Sequence, residues 1–251
     1  MANPPDIVLV GSGVGDSLQI TVDAQRMLGH VGLAYGLGVR SRLARHLRAS
    51  GIQLVPLDDR LIDRPPELGY LSIAQFVLQQ AQLDPPAVLI VPGNPLLSNS
   101  ICRFIAARGK ELKLGVQVLA AVSPIDSVVN ATGLDVGAFG LQVFDARRLV
   151  SRRQRIDPSV PLILLQPAAL AAGFAGEDAI AACEGLAVHL RGFYPPTHAV
   201  ALLSDALGGG PSIARATVDR VGELVRDIGS SSTLFIDLVR PSADHPFVSR
   251  A

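Results

Sequence analysis

The sequence contains little cysteine and carries no net charge. Cys102 and Cys183 are the two cysteines among 251 residues, too few and too far apart for a disulfide framework or a cysteine-based metal site. Basic and acidic residues both number 22, so no overall field attracts a polyanion or an anionic membrane. We therefore expect two buried free thiols in a reducing compartment and no nucleic-acid partner.

Targeting and membrane-spanning patterns are also missing. Residues 1–6 lead directly into an apolar stretch and lack the charged and apolar regions of a signal peptide. The most apolar later stretch, residues 160–176, is interrupted by proline and glycine and is shorter than the roughly 20 residues that a membrane span needs. These patterns predict a cytoplasmic protein without a membrane partner.

Several common catalytic motifs are absent as well. The sequence has no Gly-Lys-Ser/Thr phosphate loop and no Gly-x-Ser-x-Gly elbow, and its histidines lack metal-ligand spacing. The sequence therefore does not favour a kinase, a serine hydrolase or a zinc enzyme, and we expect no metal site.

What the chain does have is ample apolar material for a core. Hydrophobic residues make up 49% of the sequence and charged residues 18%, so composition gives no sign of disorder. A chain of this length is expected to form two domains of ~120 residues each. We place these domains at residues 1–120 and 121–251.

The first half alternates short apolar runs with amphipathic segments, which is typical of an α/β domain with a mostly parallel sheet and flanking helices. The predicted strands are 6–10, 31–35, 53–56, 87–91 and 114–119, and the predicted helices are 18–28, 40–49, 71–83 and 98–110. The continuous apolar run at 87–91 predicts the middle strand of the sheet. Consecutive prolines at Pro65 and Pro66 predict a loop over residues 58–69.

The second half has strand patterns with longer connections and fewer clear crossover helices, which predicts a mixed-sheet α/β domain. Its predicted strands are 141–144, 161–165, 199–203 and 233–238. We also predict that Ser212 caps a helix that runs to about Ile228.

Gly11, Gly13 and Gly15 directly follow the first strand, where glycine permits a tight turn and close approach of a ligand to the backbone. A dinucleotide fingerprint would place its third glycine where Asp16 stands and would end the second strand in an acidic residue, which is absent after Tyr35. Nicotinamide or flavin binding is therefore disfavoured, and a purely structural turn stays open. Residues 93–95 follow the middle strand, where ligands of open α/β sheets gather.

Taken together, these segments resemble the tetrapyrrole methylase superfamily. Its glycine-rich loop is matched by residues 11–15, and its Gly-Asp-Pro cofactor loop is matched by Gly93, Asn94 and Pro95. Its Pro-Gly-Val-Ser hinge is matched in part by residues 120–123. Within the superfamily, the chain looks closest to the borosin-type branch, which N-methylates peptide backbones. The segments that carry this likeness are 118–128, 133–135, 140–146, 164–166 and 233–236.

The resemblance implies a two-domain fold with a cofactor cleft between the domains. It also implies an S-adenosylmethionine-dependent methyltransferase that releases S-adenosylhomocysteine and pairs into homodimers. The implied cofactor-binding residues are Pro92, Gly93, Asn94, Pro95, Ser98, Val122, Ser123, Gln166, Ala201 and Leu202.

The branch places tyrosines and an arginine around the acceptor amide, which implies Tyr70 and Arg64 as catalytic residues here. Pro66 and Pro92 occupy positions where the branch has arginine and tyrosine. The acceptor therefore stays open between a peptide or peptide-like natural product, a corrin or porphyrin precursor and another small metabolite. An inactive interaction protein that retains the fold is a further alternative.

Overall fold

The computed structural model describes residues 4–15, 18–62, 65–204, 212–226, 228–229 and 231–239. Within it the chain divides into two compact units, and the division along the sequence falls between Ser127 and Val128. Both units are α/β, so the predicted fold class is confirmed.

The first unit contains a parallel sheet of five strands. The strands are β1 (Ile7–Gly11), β2 (Leu33–Gly36), β3 (Gln53–Pro56), β4 (Ala87–Val91) and β5 (Val116–Leu119). Their order is β3-β2-β4-β1-β5, with Ile7 of β1 opposite Ala87 of β4 and Val116 of β5. The predicted middle position of β4 is confirmed, and its five residues are all buried.

Helices cover both faces of this sheet. They are α1 (Val22–Leu28), α2 (Ser41–Ala49), α3 (Pro66–Leu83) and α4 (Ser100–Glu111). Side chains alternate along a strand, so Val8 and Val10 of β1 join the apolar cluster of α1 and α2. Ile7 and Leu9 join the cluster of α3 and α4 on the opposite face. This sandwich fixes the strand ends that carry the candidate site.

The loop predicted for residues 58–69 is wrong. Asp58–Leu61 forms a 3-10 turn, and α3 begins at Pro66. Proline fits the first helical position, because the N–H that it lacks has no partner inside the helix there and its fixed φ suits the helix. Leu68 and Gly69 donate their N–H groups to the carbonyl of Pro65, at 3.0 and 3.1 Å.

Helix α1 is shorter than the predicted range 18–28. It begins at Val22 because Thr21 is its N-cap, and the Thr21 hydroxyl accepts the N–H of Ala24 at 3.2 Å. Gln19, before this cap, instead uses its side-chain oxygen to accept the N–H of Val14 at 2.9 Å.

The second unit contains a mixed sheet, as predicted. Its strands are β6 (Gln142–Asp145), β7 (Leu162–Leu165), β8 (Ala199–Ser204), β9 (Ser212–Thr217) and β10 (Ser232–Ile236). The order is β6-β7-β10-β8-β9, in which β6 and β7 are parallel and the other neighbours are antiparallel. The helices are α5 (Pro124–Thr132), α6 (Val136–Phe139), α7 (Ala146–Ser151), α8 (Gly176–Leu190) and α9 (Val221–Arg226), and α5 runs across the division of the units.

The helix predicted from Ser212 to Ile228 is wrong over its first half. Residues 212–217 form β9, which pairs with β8 from Ala199 opposite Thr217 to Ser204 opposite Ser212. The helical segment α9 begins only at Val221, after a 3-10 turn. Six residues of cross-strand pairing outweigh the local capping signal of Ser212, because tertiary pairing overrides weak propensity.

Both cysteines are free and buried, as predicted. Burial raises the pKa of the Cys102 thiol to about 12. Among the residues that the structure describes, no helix is both long and apolar enough to cross a membrane.

Candidate active site

The glycine loop after β1 and the turn after β4 are bonded to each other. Gly93 donates its N–H to the carbonyl of Gly13 at 2.7 Å, and the two residues form an isolated antiparallel bridge. Ser12 donates its N–H to the carbonyl of Val91 at 2.9 Å. The two segments that the sequence analysis singled out separately therefore form one structure at the carboxyl edge of the sheet.

Glycine is required at several points of this edge. A Cβ on Gly11 would clash with the carbonyl oxygen of Gly93 and would lie 2.8 Å from the Cβ of Ala121. Gly13 and Gly93 have φ values of 78° and 64°, in the left-handed region that favours glycine. At Gly93 a Cβ would meet Pro124 at 3.5 Å and no other described residue within 4 Å, so a side chain there is limited by the φ value more than by contacts.

The segment after Gly93 is a tight polar turn. The side-chain oxygen of Asn94 accepts the N–H of Leu96 at 3.0 Å, and its carbonyl accepts the N–H of Leu97 at 3.1 Å. Ser98 has a φ of 50°, and the side chain of Asn99 caps α4 by accepting the N–H of Cys102 at 3.0 Å. Pro95 is buried. The predicted Gly-Asn-Pro loop thus has a fixed conformation that leads into α4.

The loop after β2 reaches the same edge, which the sequence analysis missed. Gly38 has a φ of 63°, and a Cβ on it would lie 3.1 Å from Cγ of Pro92. Its N–H donates to the carboxylate of Asp58 at 2.8 Å. The glycines at 36 and 38 were the available signal, because closely spaced glycines after a strand mark a tight turn.

Ser123 is buried at the start of α5, beside the same edge. Its N–H and its hydroxyl both donate to Oδ2 of Asp126, at 2.7 and 2.6 Å. The hydroxyl bond is the main cause that lowers the pKa of Asp126, and with the N–H bond it outweighs the opposing effect of burial. Val122 is half-buried next to it. Asp126 is a polar residue of this region that the sequence analysis did not name.

Three predicted cofactor residues lie in the second unit. Gln166 follows β7 with a φ of 54°, and its carbonyl accepts the N–H of Ala169 at 2.9 Å. Ala201 and Leu202 are buried in β8, and the side chain of Leu202 packs in the core of that unit. Their contact with a cofactor stays a prediction.

The two predicted catalytic residues also stay predictions. Tyr70 lies in α3 with 40% of its surface exposed. Arg64 lies outside the described residues. In the part of the chain that the structure describes, no group of three or more His, Cys, Asp or Glu side chains is placed to hold a metal ion.

A separate cavity of about 570 Å³ lies in the first unit beside α2 and β3. Its lining includes Gly36, Arg48, Leu54 and Asp58, and none of the predicted site residues that the structure describes. We therefore do not assign the cofactor to it.

The family described as Tetrapyrrole (Corrin/Porphyrin) Methylases matches residues 6–209. The chain belongs to this family, as the resemblance implied. The predicted family, whose members are S-adenosylmethionine-dependent methyltransferases, is therefore confirmed.

Individual relatives agree with this membership. The chain is 23% identical over 201 residues to a methyltransferase and type III borosin cyclic peptide precursor from Anomoporia bombycina; the match covers 78% of this chain and 23% of that protein. The chain thus spans about a quarter of the length of that curated relative.

Two solved structures of uroporphyrin-III C-methyltransferase from Thermus thermophilus share the fold. One has a TM-score of 0.66 and 18% identity, over 92% of this chain and 91% of that chain. The other is complexed with S-adenosylhomocysteine and has a TM-score of 0.64 and 16% identity, over 92% of this chain and 96% of that chain. These likenesses confirm the predicted fold.

Proposed function

We propose that the protein transfers a methyl group from S-adenosylmethionine to a backbone nitrogen of a peptide or peptide-like natural product. The observation that carries this proposal is the bonded edge of Gly11–Gly15 and Gly93–Pro95, in a chain of a methyltransferase family. The borosin relative supports a peptide acceptor in the biosynthesis of ribosomally made natural products.

The residues of this edge fit the cofactor chemically. Glycines with left-handed φ carry no side chain at this edge, so a ligand can come close to its backbone, and backbone dipoles suit a zwitterionic ligand with a positive sulfur. Bound there, S-adenosylmethionine supplies an activated methyl group. The residues proposed to hold it are Pro92, Gly93, Asn94, Pro95, Ser98, Val122, Ser123, Gln166, Ala201 and Leu202.

The transfer is an in-line displacement, in which the acceptor nitrogen bonds to the methyl carbon as the carbon–sulfur bond breaks. The protein must hold the two reactants in line and exclude water, which in well-oriented systems is worth up to ~7 to 11 kcal/mol. An amide nitrogen is a poor nucleophile. Tyr70 and Arg64 are proposed to orient the amide. The Tyr70 hydroxyl is proposed to accept the amide proton as it passes its own proton to solvent, while the Arg64 guanidinium stays protonated and contributes its positive charge.

A corrin or porphyrin precursor is the second candidate acceptor, because the two Thermus structures are of a uroporphyrin-III methyltransferase. Such a substrate carries several carboxylates and requires cations at the site. The arginines that we consider for this role are Arg64, Arg103, Arg147 and Arg148. If the chain binds cofactor without turning over either acceptor class, two interpretations remain: another small metabolite is the acceptor, or the chain is an inactive interaction protein that retains the fold.

The test is calorimetric titration with S-adenosylmethionine and S-adenosylhomocysteine. We expect saturable binding by the parent and its loss in Gly93→Arg, whose side chain blocks the turn. Gly173→Arg is the matched control, because Gly173 also has a positive φ, 86°, and a Cβ there would meet no described residue within 4 Å. Absence of binding by the parent would refute the proposal. Once binding is established, turnover is screened with peptides first and corrin or porphyrin precursors second.

We further infer that the protein works in the cytoplasm as a homodimer. Light scattering of the purified chain measures its mass in solution, and a monomeric mass at micromolar concentration contradicts the dimer. Cell fractionation checks the compartment.

A further inference from the structure

Asp126 makes an arrangement with Ser123 that goes beyond ordinary helix capping. Oδ2 of Asp126 accepts both the N–H and the hydroxyl of Ser123, at 2.7 and 2.6 Å. The N–H bond is the reciprocal half of a capping box, in which the third helical residue reaches back to the cap. The hydroxyl bond is additional, because in a capping box the hydroxyl of the cap residue accepts a backbone N–H of the first helical turn.

The hydroxyl bond decides what Ser123 offers to a ligand. A serine hydroxyl has one proton to donate and two lone pairs that accept. Its proton is committed to the carboxylate, so Ser123 presents only lone pairs. Ser123 is 7% exposed, which limits competition from water for this bond. The lowered pKa of Asp126 is consistent with a carboxylate that is ionised at neutral pH.

We propose that Asp126 is a positioning residue that fixes the Ser123 hydroxyl as an acceptor for a hydrogen-bond donor of the cofactor. This inference rests on the proposed function, which puts Ser123 in the cofactor site. S-adenosylmethionine has such donors on its amino-acid ammonium and on its nucleoside. The negative charge of the Ser123–Asp126 pair also favours a ligand that carries an ammonium and a sulfonium.

A matched control comes from α6. Asp135 is its N-cap, and Oδ1 of Asp135 accepts the N–H of Ala138 at 3.1 Å. Truncation of Asp126 or of Asp135 removes a helix cap, and both changes are expected to lower the melting temperature. Only the change at Asp126 is expected to weaken cofactor binding.

The experiment measures the Kd for S-adenosylhomocysteine by calorimetry in the parent, Ser123→Ala, Asp126→Ala, the double variant and Asp135→Ala. We expect Asp126→Ala to raise the Kd about tenfold, the scale of one hydrogen bond in a charged pair. In the Ser123→Ala background the same change is expected to have almost no further effect, because Asp126 acts through Ser123. Asp135→Ala should leave the Kd unchanged.

The source of the donor is identified by repeating the titrations with 5′-methylthioadenosine, which lacks the amino-acid part. If the effect of Asp126→Ala persists, the donor belongs to the nucleoside; if it disappears, the donor is the ammonium. Asp126→Asn is the second variant if Asp126→Ala fails to fold. It keeps an acceptor oxygen but removes the charge, so we expect a smaller rise in Kd.

Two results overturn the inference alone: parent-like affinity in both Asp126 variants, or equal losses from Asp126→Ala with and without the Ser123 hydroxyl. Failure of the parent to bind any of these ligands overturns the proposed function, and the inference with it. The parent titration therefore separates the two failures.

Discussion

At the scale of single residues, the space between backbone segments decides which substitutions are possible at the carboxyl edge of the first sheet. Gly11 ends β1 against the carbonyl of Gly93 and the side chain of Ala121. The carbonyl of Gly93 occupies the space that a Cβ on Gly11 would need. A methyl group on Gly11 would therefore push the two loops apart. The bridge between Gly13 and Gly93 depends on this close approach.

We therefore expect Gly11→Ala to lower the free energy of unfolding by about 1 to 3 kcal/mol, the usual cost of overpacking, and to weaken cofactor binding. Gly32→Ala is the control, because a Cβ there would meet no described residue within 4 Å. Urea unfolding and calorimetry measure the two effects. Equal stability of the two variants would show that the loops move apart at little cost.

At the scale of elements, α8 carries much of the core of the second unit. Leu186 is fully buried among side chains of that core, whereas Val188, two residues further along the helix, is 62% exposed. The two positions lie in the same helix, and their main difference is burial, because leucine and valine differ only by tenths of a kcal/mol up to about 0.5 kcal/mol in helix propensity.

Leu186→Ala is expected to destabilise the second unit by about 2 to 5 kcal/mol, because it leaves a cavity. Val188→Ala should change stability by less than about 0.5 kcal/mol. Amide hydrogen exchange measures the effect for each strand. We expect faster exchange in β7 and β10 for Leu186→Ala. An equal effect of both substitutions would contradict the packing described for α8.

Elements set by local apolar pattern were predictable from the sequence, and those set by distant partners were not. β3 and the all-apolar β4 have the predicted first and last residues. β9 was missed because its alternation is weak and its pairing with β8 stabilises it. The hydrogen-bonded bridge between Gly13 and Gly93 could not be predicted, because it joins segments far apart in the sequence. Asp126 was different: the Ser-x-x-Asp spacing is a local capping signal that could have been recognised.

At the scale of the whole molecule, the sequence and the structure give different positions for the end of the first domain. The sequence predicts domains at 1–120 and 121–251, and the contacts divide the chain between Ser127 and Val128. Residues 121–126 contain Ala121, which lies against Gly11, and the bonded pair Ser123 and Asp126. These contacts belong to the first unit.

We expect a fragment of residues 1–127 to have a higher melting temperature than a fragment of residues 1–120, because it retains those contacts. Circular dichroism during heating measures both. Identical melting curves would instead favour the shorter limit as the end of the first domain.

The order of strands in the first sheet also has a consequence for synthesis of the chain. β1 is made first, yet among the described residues its strand partners are β4, from Ala87, and β5, from Val116. Until β4 has left the ribosome, an apolar strand whose residues are all buried in the native fold stays unpaired, and its second edge stays unpaired until β5 follows. Such long-range pairing slows folding and prolongs exposure to aggregation. We therefore expect the first sheet to be complete only after residue 119 has emerged.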